Sequence, residues 1–169
     1  MAEVQQEKWE GKATAKLSNS TADQVWPMCA DFCNLHKWIP SIDTCRHVDG
    51  SPEPGQIGCV RYCAGRVVQS VGGSSESLPE IWAYEKLLSI DSVHPSLSYE
   101  ITENSSGFKK YVATIKVSPG GDGRGCVIEW SYVTNPMDDL KYEDLASTVN
   151  FCLDSLAKTI EEAIAASEG

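Results

Sequence analysis

The sequence contains no apolar run approaching the roughly 20 residues that a membrane-spanning helix requires, so membrane insertion is not expected. It also has no excess of positive charge. Fourteen Lys and Arg stand against 24 Asp and Glu, a formal net charge of -10. This balance argues against nucleic acid or an anionic membrane surface as partner, because both call for a basic footprint. The opening MAEVQQEKWEG has neither the apolar core of a secretory signal nor an Arg-rich amphipathic pattern, and a cytoplasmic location is the expectation. Residues 1–7 are expected to be a flexible lead-in to one domain over residues 8–166.

Metal-binding and disulfide motifs are missing as well. Seven cysteines is an odd number, and none of them forms a CxxC pair. Cys29 with Cys33 and Cys59 with Cys63 are each four apart, and adding His36 or His47 gives no standard zinc spacing. Structural thiols are the reading, with no metal and no cofactor expected. Gly120 to Gly125 is not followed by the Lys-Ser/Thr of a phosphate-binding loop. His36 and His47 have no acid or nucleophile in pattern with them, and His94 precedes Pro95 in a turn. Asn19-Ser20-Thr21 and Asn104-Ser105-Ser106 match a glycosylation sequon that a cytosolic protein would not use.

What is present is one long amphipathic stretch, from about Asp139 to Ile164. Tyr142, Leu145, Val149, Leu153, Leu156, Ile160 and Ile164 fall on one helical face, with Cys152 and Ala163 beside them. Lys141, Glu143, Asp144, Asn150, Asp154, Lys158 and Glu161 face away. This is an apolar stripe of roughly seven turns. Asp138 and Asp139 supply acceptors and negative charge at its start. A stripe of this length needs a long apolar surface opposite it.

The preceding chain provides that surface. Trp9 to Leu17 alternates as a half-buried strand. Thr21 with Gln24 makes a capping box for a short helix through Ala30, with Pro27 inside it. A second short helix or turn runs from Asp31 to Trp38 and is stopped by Pro40. Strand patterns then cover Ile42 to Val48, Ile57 to Tyr62, Ile81 to Ile90, Leu97 to Glu103, Lys109 to Val117 and Val127 to Val133. Val67 and Val68 continue the apolar pattern of the second of these, and Gly72-Gly73-Ser74-Ser75 forms a flexible break. The short breaks between strands predict antiparallel hairpins. The expected fold is therefore α+β: a seven-stranded curved antiparallel sheet wrapped around the long C-terminal helix, with two short helices after the first strand.

Alternation identifies the inward side chains. Tyr99 and Ile101, then Tyr111, Ala113, Ile115 and Val117, then Ile128, Trp130 and Tyr132 each share a face. Large, mostly hydroxylated side chains suit an apolar cavity with a few polar groups better than a dry core of Leu, Ile and Val. Tyr99, Tyr111, Trp130 and Tyr132, with Leu153 from the helix, are the candidate ligand-contacting residues. Arg61 shares a face with Ile57, Cys59 and Cys63, and points either inward or outward. Glu85 lies among Ile81, Ala83 and Leu87. If both are buried they must satisfy each other, as a structural pair or as a group that holds and protonates a ligand. Periodicity alone favours the structural or surface reading.

Ordered sequence pieces give a sharper comparison. They are Trp26, Asp31-Phe32, Asn34-Leu35-His36-Lys37, Pro40-Ser41 and Cys45, then Gly58-Cys59-Val60-Arg61-Tyr62 and Glu85-Lys86-Leu87. Tyr99 with Thr102-Glu103, Tyr111 with Ala113-Thr114, and Trp130-Ser131 complete them. From about Lys8 to Glu162 the chain resembles the helix-grip proteins of the START-like, Bet v 1-like superfamily. More narrowly it resembles plant lachrymatory-factor synthase and its relatives in the polyketide cyclase/dehydrase and lipid-transport group. The resemblance implies an internal cavity for a small hydrophobic molecule, lined by Tyr99 and Tyr111. It also implies a catalytic pair at Arg61 and Glu85: Arg61 would hold the oxygen of a sulfenic acid while Glu85 relays its proton to carbon, without a cofactor. The segment Ala64 to Pro79 is longer and richer in Gly and Ser than its counterpart, and is expected at the cavity mouth. The Ser-Gly-Leu-Pro-Ala gate and His-Arg-Leu latch of abscisic acid receptors are absent, Ser77-Leu78-Pro79 being a partial echo of the first. No protein partner is implied.

Overall fold

A computed structural model of the chain describes residues 8–65, 80–138 and 140–168. The expected flexibility of residues 1–7, the Gly72 to Ser75 break and most of the Ala64 to Pro79 segment lie outside these residues. The elements are β1 (Trp9–Leu17), α1 (Ala22–Ala30), a 3-10 segment (Phe32–Lys37), β2 (Ile42–His47), β3 (Val60–Gly65), β4 (Ile81–Asp91), β5 (Ser96–Asn104), β6 (Val112–Pro119), β7 (Cys126–Thr134) and α2 (Tyr142–Glu168).

One seven-stranded antiparallel sheet is ordered β1-β7-β6-β5-β4-β3-β2. Consecutive strands from β2 to β7 pair as hairpins, and β1 then adds beside β7. The chain crosses from β1 to the far edge through α1 and the 3-10 segment. The Thr21 capping box forms as the sequence predicts: the Gln24 N–H donates to Thr21 Oγ1 at 3.2 Å, and the Thr21 N–H donates to Gln24 Oε1 at 2.9 Å. The helix runs through Pro27 to Ala30. The second short helix is wound in the tighter 3-10 form and packs against β2 and β3.

The inner face of the sheet closes on α2. Along β7, Cys126, Ile128, Trp130, Tyr132 and Thr134 are buried while the intervening residues are half-exposed. From α2, Leu145, Val149, Leu153, Leu156, Ile160 and Ile164 enter the core, while Lys141, Glu143, Asp144, Asn150, Asp154 and Lys158 are exposed. This is the sheet wrapped on a long helix that the pattern predicts, the helix-grip, Bet v 1-like fold that the resemblance implies.

Three element starts lie three residues later than the sequence reading puts them, each for a local backbone reason. The third strand starts at Val60, not Ile57, because Gly55 and Gly58 take left-handed φ values of 89° and 93° and close a turn that leaves Ile57 exposed. The sixth strand starts at Val112, not Lys109, because Lys110 has φ 55° and breaks the extended run. The long helix starts at Tyr142: the Lys141 carbonyl accepts the N–H groups of Asp144 and Leu145 at 3.0 and 3.2 Å. Asp138 therefore lies ahead of the first turn, Asp139 is outside the described residues, and Glu143 and Asp144 are the first-turn acids.

Candidate functional site

Register brings Arg61 and Glu85 together. Residue 61 of β3 stands directly opposite residue 85 of β4, and alternation turns both inward. Arg61 Nε donates to Glu85 Oε1 at 2.8 Å, and Arg61 Nη1 donates to the Phe32 carbonyl at 2.8 Å. The guanidinium carbon sits 3.9 Å from the centroid of the Phe32 ring and 4.8 Å from that of Tyr99. Arg61 is 4% exposed and Glu85 9%, so the surface alternative left open by periodicity does not hold. Burial opposes the charge on Arg61, but the Glu85 carboxylate, with smaller help from Cys63 and Tyr99, holds its pKa above the ordinary value.

Two chambers adjoin the pair. The first, of about 170 Å³, lies between the sheet and α2 and is walled by Leu35, Ile39, Tyr99, Tyr111, Trp130, Leu145, Thr148 and Val149. The second, of about 180 Å³, extends toward the ends of β3 and β4 and is walled by Ser41, Gly65, Ile81, Trp82, Ala83, Asn104 and Ser106. Ile42, Cys63, Glu85, Ile101, Phe108 and Cys152 line both. Glu85 is thus the only acidic side chain at the junction among the described residues, while Arg61 lines neither chamber but only a cleft of about 20 Å³ beside Leu35, Tyr99 and Trp130.

The polar groups around the first chamber are few. Burial, reinforced by neighbouring charge, pushes the Tyr99 and Tyr111 phenols above their ordinary range and keeps them neutral. The Trp130 indole N–H is buried and interacts with the Tyr111 hydroxyl, whose pKa it lowers, but completes no hydrogen bond of ordinary geometry among the described residues. An incompletely paired donor on a cavity wall is a handle for a ligand acceptor, because leaving it dry is costly.

The candidate residues divide by position. Tyr99, Tyr111 and Trp130 line the first chamber. Tyr132 stacks on Tyr111 with ring planes 4° apart and packs over Gly11, outside both chamber linings. Leu153 is completely buried between helix and sheet and also lies outside both. Phe108, in the β5–β6 connection, and Cys63 and Cys152 were not singled out for the site by the pattern. Nothing in periodicity marks a loop Phe as cavity wall, whereas Cys63 shares the Arg61 alternation and Cys152 borders the helical stripe. Two of the histidines stand apart from the pair: His47 Nε2 lies 2.8 Å from the Pro52 carbonyl, within the β2–β3 turn, and His94 is exposed beside Asp91. Among the described residues no group of three or more His, Cys, Asp or Glu gathers to hold a metal ion, and no helix is long and apolar enough to cross a membrane.

Residues 10–161 match the sequence profile of the family described as polyketide cyclase/dehydrase and lipid transport. The chain belongs to this family. Solved structures with the same fold include the XoxI protein of Bacillus cereus, 19% identical with a TM-score of 0.70, the match covering 95% of this chain and 98% of that one. A protein from Nitrosospira multiformis is 17% identical with a TM-score of 0.70, over 89% and 95% of the two chains. Ginseng major latex-like protein 151, from Panax ginseng, is 17% identical with a TM-score of 0.66, over 92% and 97%. At these identities the likeness is one of fold. Membership of a polyketide cyclase/dehydrase and lipid-transport family agrees with a cavity whose walls are mostly apolar, with Glu85 as their only acidic side chain among the described residues.

Proposed function

We propose that this family member encloses a small hydrophobic or lipid-like metabolite in the chambers between the sheet and α2, as a cytosolic plant protein. One observation carries the reading: two apolar chambers meet at a single buried carboxylate. Each chamber is about the size of a cavity that holds one benzene-sized molecule, so a compact ligand, or one spanning the junction, fits best. Tyr99, Tyr111 and Trp130 contact its apolar body, the Trp130 N–H takes an acceptor, and Glu85 takes a donor. Tyr132 and Leu153 hold this wall from behind. Native mass spectrometry of the purified protein tests the proposal: a co-purified small molecule, lost on denaturation, supports it. A chain that emerges empty and takes up no apolar compound from a small-molecule panel sinks it.

A second reading is favoured by the position of Glu85 itself. Its Oε1 is held by Arg61 while the side chain borders both chambers, the arrangement of a carboxylate kept in place for proton transfer. In this reading the protein is a cofactor-free isomerase of the lachrymatory-factor-synthase type. Glu85 accepts the O–H proton of an alkenyl sulfenic acid and returns it to carbon, giving a thial S-oxide, and Arg61 holds the carboxylate that handles the proton. A coupled assay with an alliinase and an alkenyl cysteine sulfoxide decides it. Product formed by wild type and lost in folded Arg61→Leu and Glu85→Gln supports the enzyme; no product from folded wild type leaves the carrier reading alone.

A further inference from the structure

Cys33, Cys45 and Cys63 feel the Arg61 charge, and with Cys59 they fall into two thiol pairs. Cys33 and Cys59 lie with sulfurs 3.7 Å apart in the closed core. Cys45 and Cys63 are closer, at 3.4 Å, and are directly opposed on β2 and β3. The Val48 N–H donates to the Val60 carbonyl, which makes 48/60 a hydrogen-bonded pair. Counting back by the antiparallel alternation makes 45/63 a non-hydrogen-bonded pair, the kind whose side chains approach most closely. Its typical Cα separation, about 4.5 Å, lies inside the range that a disulfide spans. Only Cys63 of these four lines the two large chambers.

We propose that Cys45 and Cys63 form an oxidisable dithiol in the cavity wall, converted to a disulfide by apolar hydroperoxides that enter the cavity. Cys63 meets the peroxide first. Its sulfur attacks the terminal peroxide oxygen; the S–O bond forms, the O–O bond breaks, and the released alkoxide takes the thiol proton and leaves as an alcohol. The Cys45 sulfur then attacks the sulfenyl sulfur, the S–S bond forms, and the departing hydroxide takes the second thiol proton as water. Two thiols and one hydroperoxide give one disulfide, one alcohol and one water, with two electrons passing from sulfur to oxygen. Closing the sulfurs from 3.4 Å to bonding distance takes roughly 1.4 Å of movement, within reach of side-chain rotation.

The surroundings favour a reactive sulfur here. The S–H bond from Cys63 and the Arg61 charge hold the Cys45 thiol down to about 6 against the opposing effect of burial, with Leu35 and His36 also beside it. The same S–H bond, with burial, pushes the Cys63 thiol up, so Cys63 attacks as its proton is drawn across the 3.4 Å contact onto the Cys45 sulfur. A thiolate, not a thiol, is the nucleophile in such chemistry. Oxidation would remove the weak Cys63 S–H contact to Glu85 Oε1 at 3.9 Å, and so couple the state of the thiols to the carboxylate at the chamber junction.

The test uses the full chain with cumene hydroperoxide and, in parallel, hydrogen peroxide, followed by intact mass and peptide mapping. The expected result is a loss of two hydrogens, a Cys45–Cys63 linkage reversed by dithiothreitol, and faster reaction with the apolar peroxide at equal concentration. Cys45→Ser is expected to stop at a gain of one oxygen on Cys63, trapped by dimedone, while Cys33→Ser keeps the linkage. If the serine variants do not fold, the wild-type peptide map decides alone. Unlinked thiols after excess peroxide, a linkage between other cysteines, or equal rates with the two peroxides would overturn the proposal.

Discussion

Arg61 and Glu85 are cross-strand partners joined by a 2.8 Å hydrogen bond, yet they do not share one environment. Glu85 borders both chambers, whereas Arg61 is clamped between the Phe32 and Tyr99 rings and the Phe32 carbonyl. The pair is therefore asymmetric: one member faces the cavity and the other fixes it there. Removing either leaves a buried charge without its partner, a change that costs about 3–5 kcal/mol. Arg61→Leu and Glu85→Leu are each expected to lower the unfolding free energy read from urea titration by that amount. The double variant should lose less than the sum, because no lone charge remains. Additive losses would show that the two charges are not coupled.

Cys152 lines both chambers from the α2 side, so a larger side chain there narrows both where they meet and leaves no room for benzene at the junction. Wild type is expected to be stabilised by benzene, by about 1.4 kcal/mol at a concentration tenfold above Kd. Cys152→Phe should unfold at a temperature that benzene does not move. Equal benzene shifts in the two proteins would place the binding elsewhere.

The inner-face phenols predict how the fold responds to alkali. Burial raises the pKa of Tyr99 and Tyr111 above their ordinary value, and that of Tyr132 to about 12 with help from Tyr142. In the unfolded chain these groups lose their protons near pH 10, so above that pH the unfolded state binds fewer protons than the native one. By linkage the stability contributed by keeping them neutral is complete below about pH 10 and falls as pH rises toward the folded values. Urea midpoints at pH 9, 10 and 11 should decline in that order, less steeply in Tyr99→Phe. A flat profile in wild type would show that these phenols ionise without unfolding.

Gly11 is required by close approach, not by its backbone angles. A Cβ at this position of β1 would run into the Tyr132 ring, which crosses over it from β7. Gly11→Ala is expected to destabilise by about 1–3 kcal/mol, the usual penalty for overpacking. Because Tyr132 stacks on Tyr111, the substitution should also weaken uptake into the first chamber. Tyr132→Leu in the same chain should recover part of the stability; no recovery would mean that the clash lies with the backbone.

Asn104 illustrates how a motif loses its sequence meaning in three dimensions. Its side-chain oxygen accepts the Ser106 and Phe108 N–H groups and its amide donates to the Phe108 carbonyl. The residue therefore shapes the β5–β6 connection and sets Phe108 into the cavity wall. Composition and spacing marked Asn104 only as a sequon and left Phe108 without a role.

Periodicity, turn residues and a capping box were enough to read the seven strands, the two short helices and the long helix, because each of those signals acts over a few neighbouring residues. They were also enough to mark Tyr99, Tyr111 and Trp130 as inward, since alternation on a half-buried strand is local. The left-handed backbone at Gly58 and Lys110, which moved two strand starts, is local too, but a strand pattern alone does not display it. Register is different. Whether Arg61 met Glu85, which thiols faced each other, and where space was left unfilled depended on how strands distant in sequence were aligned and on how far α2 stood from the sheet. Those distances follow from the packing of the whole core, and the tertiary structure alone decided them.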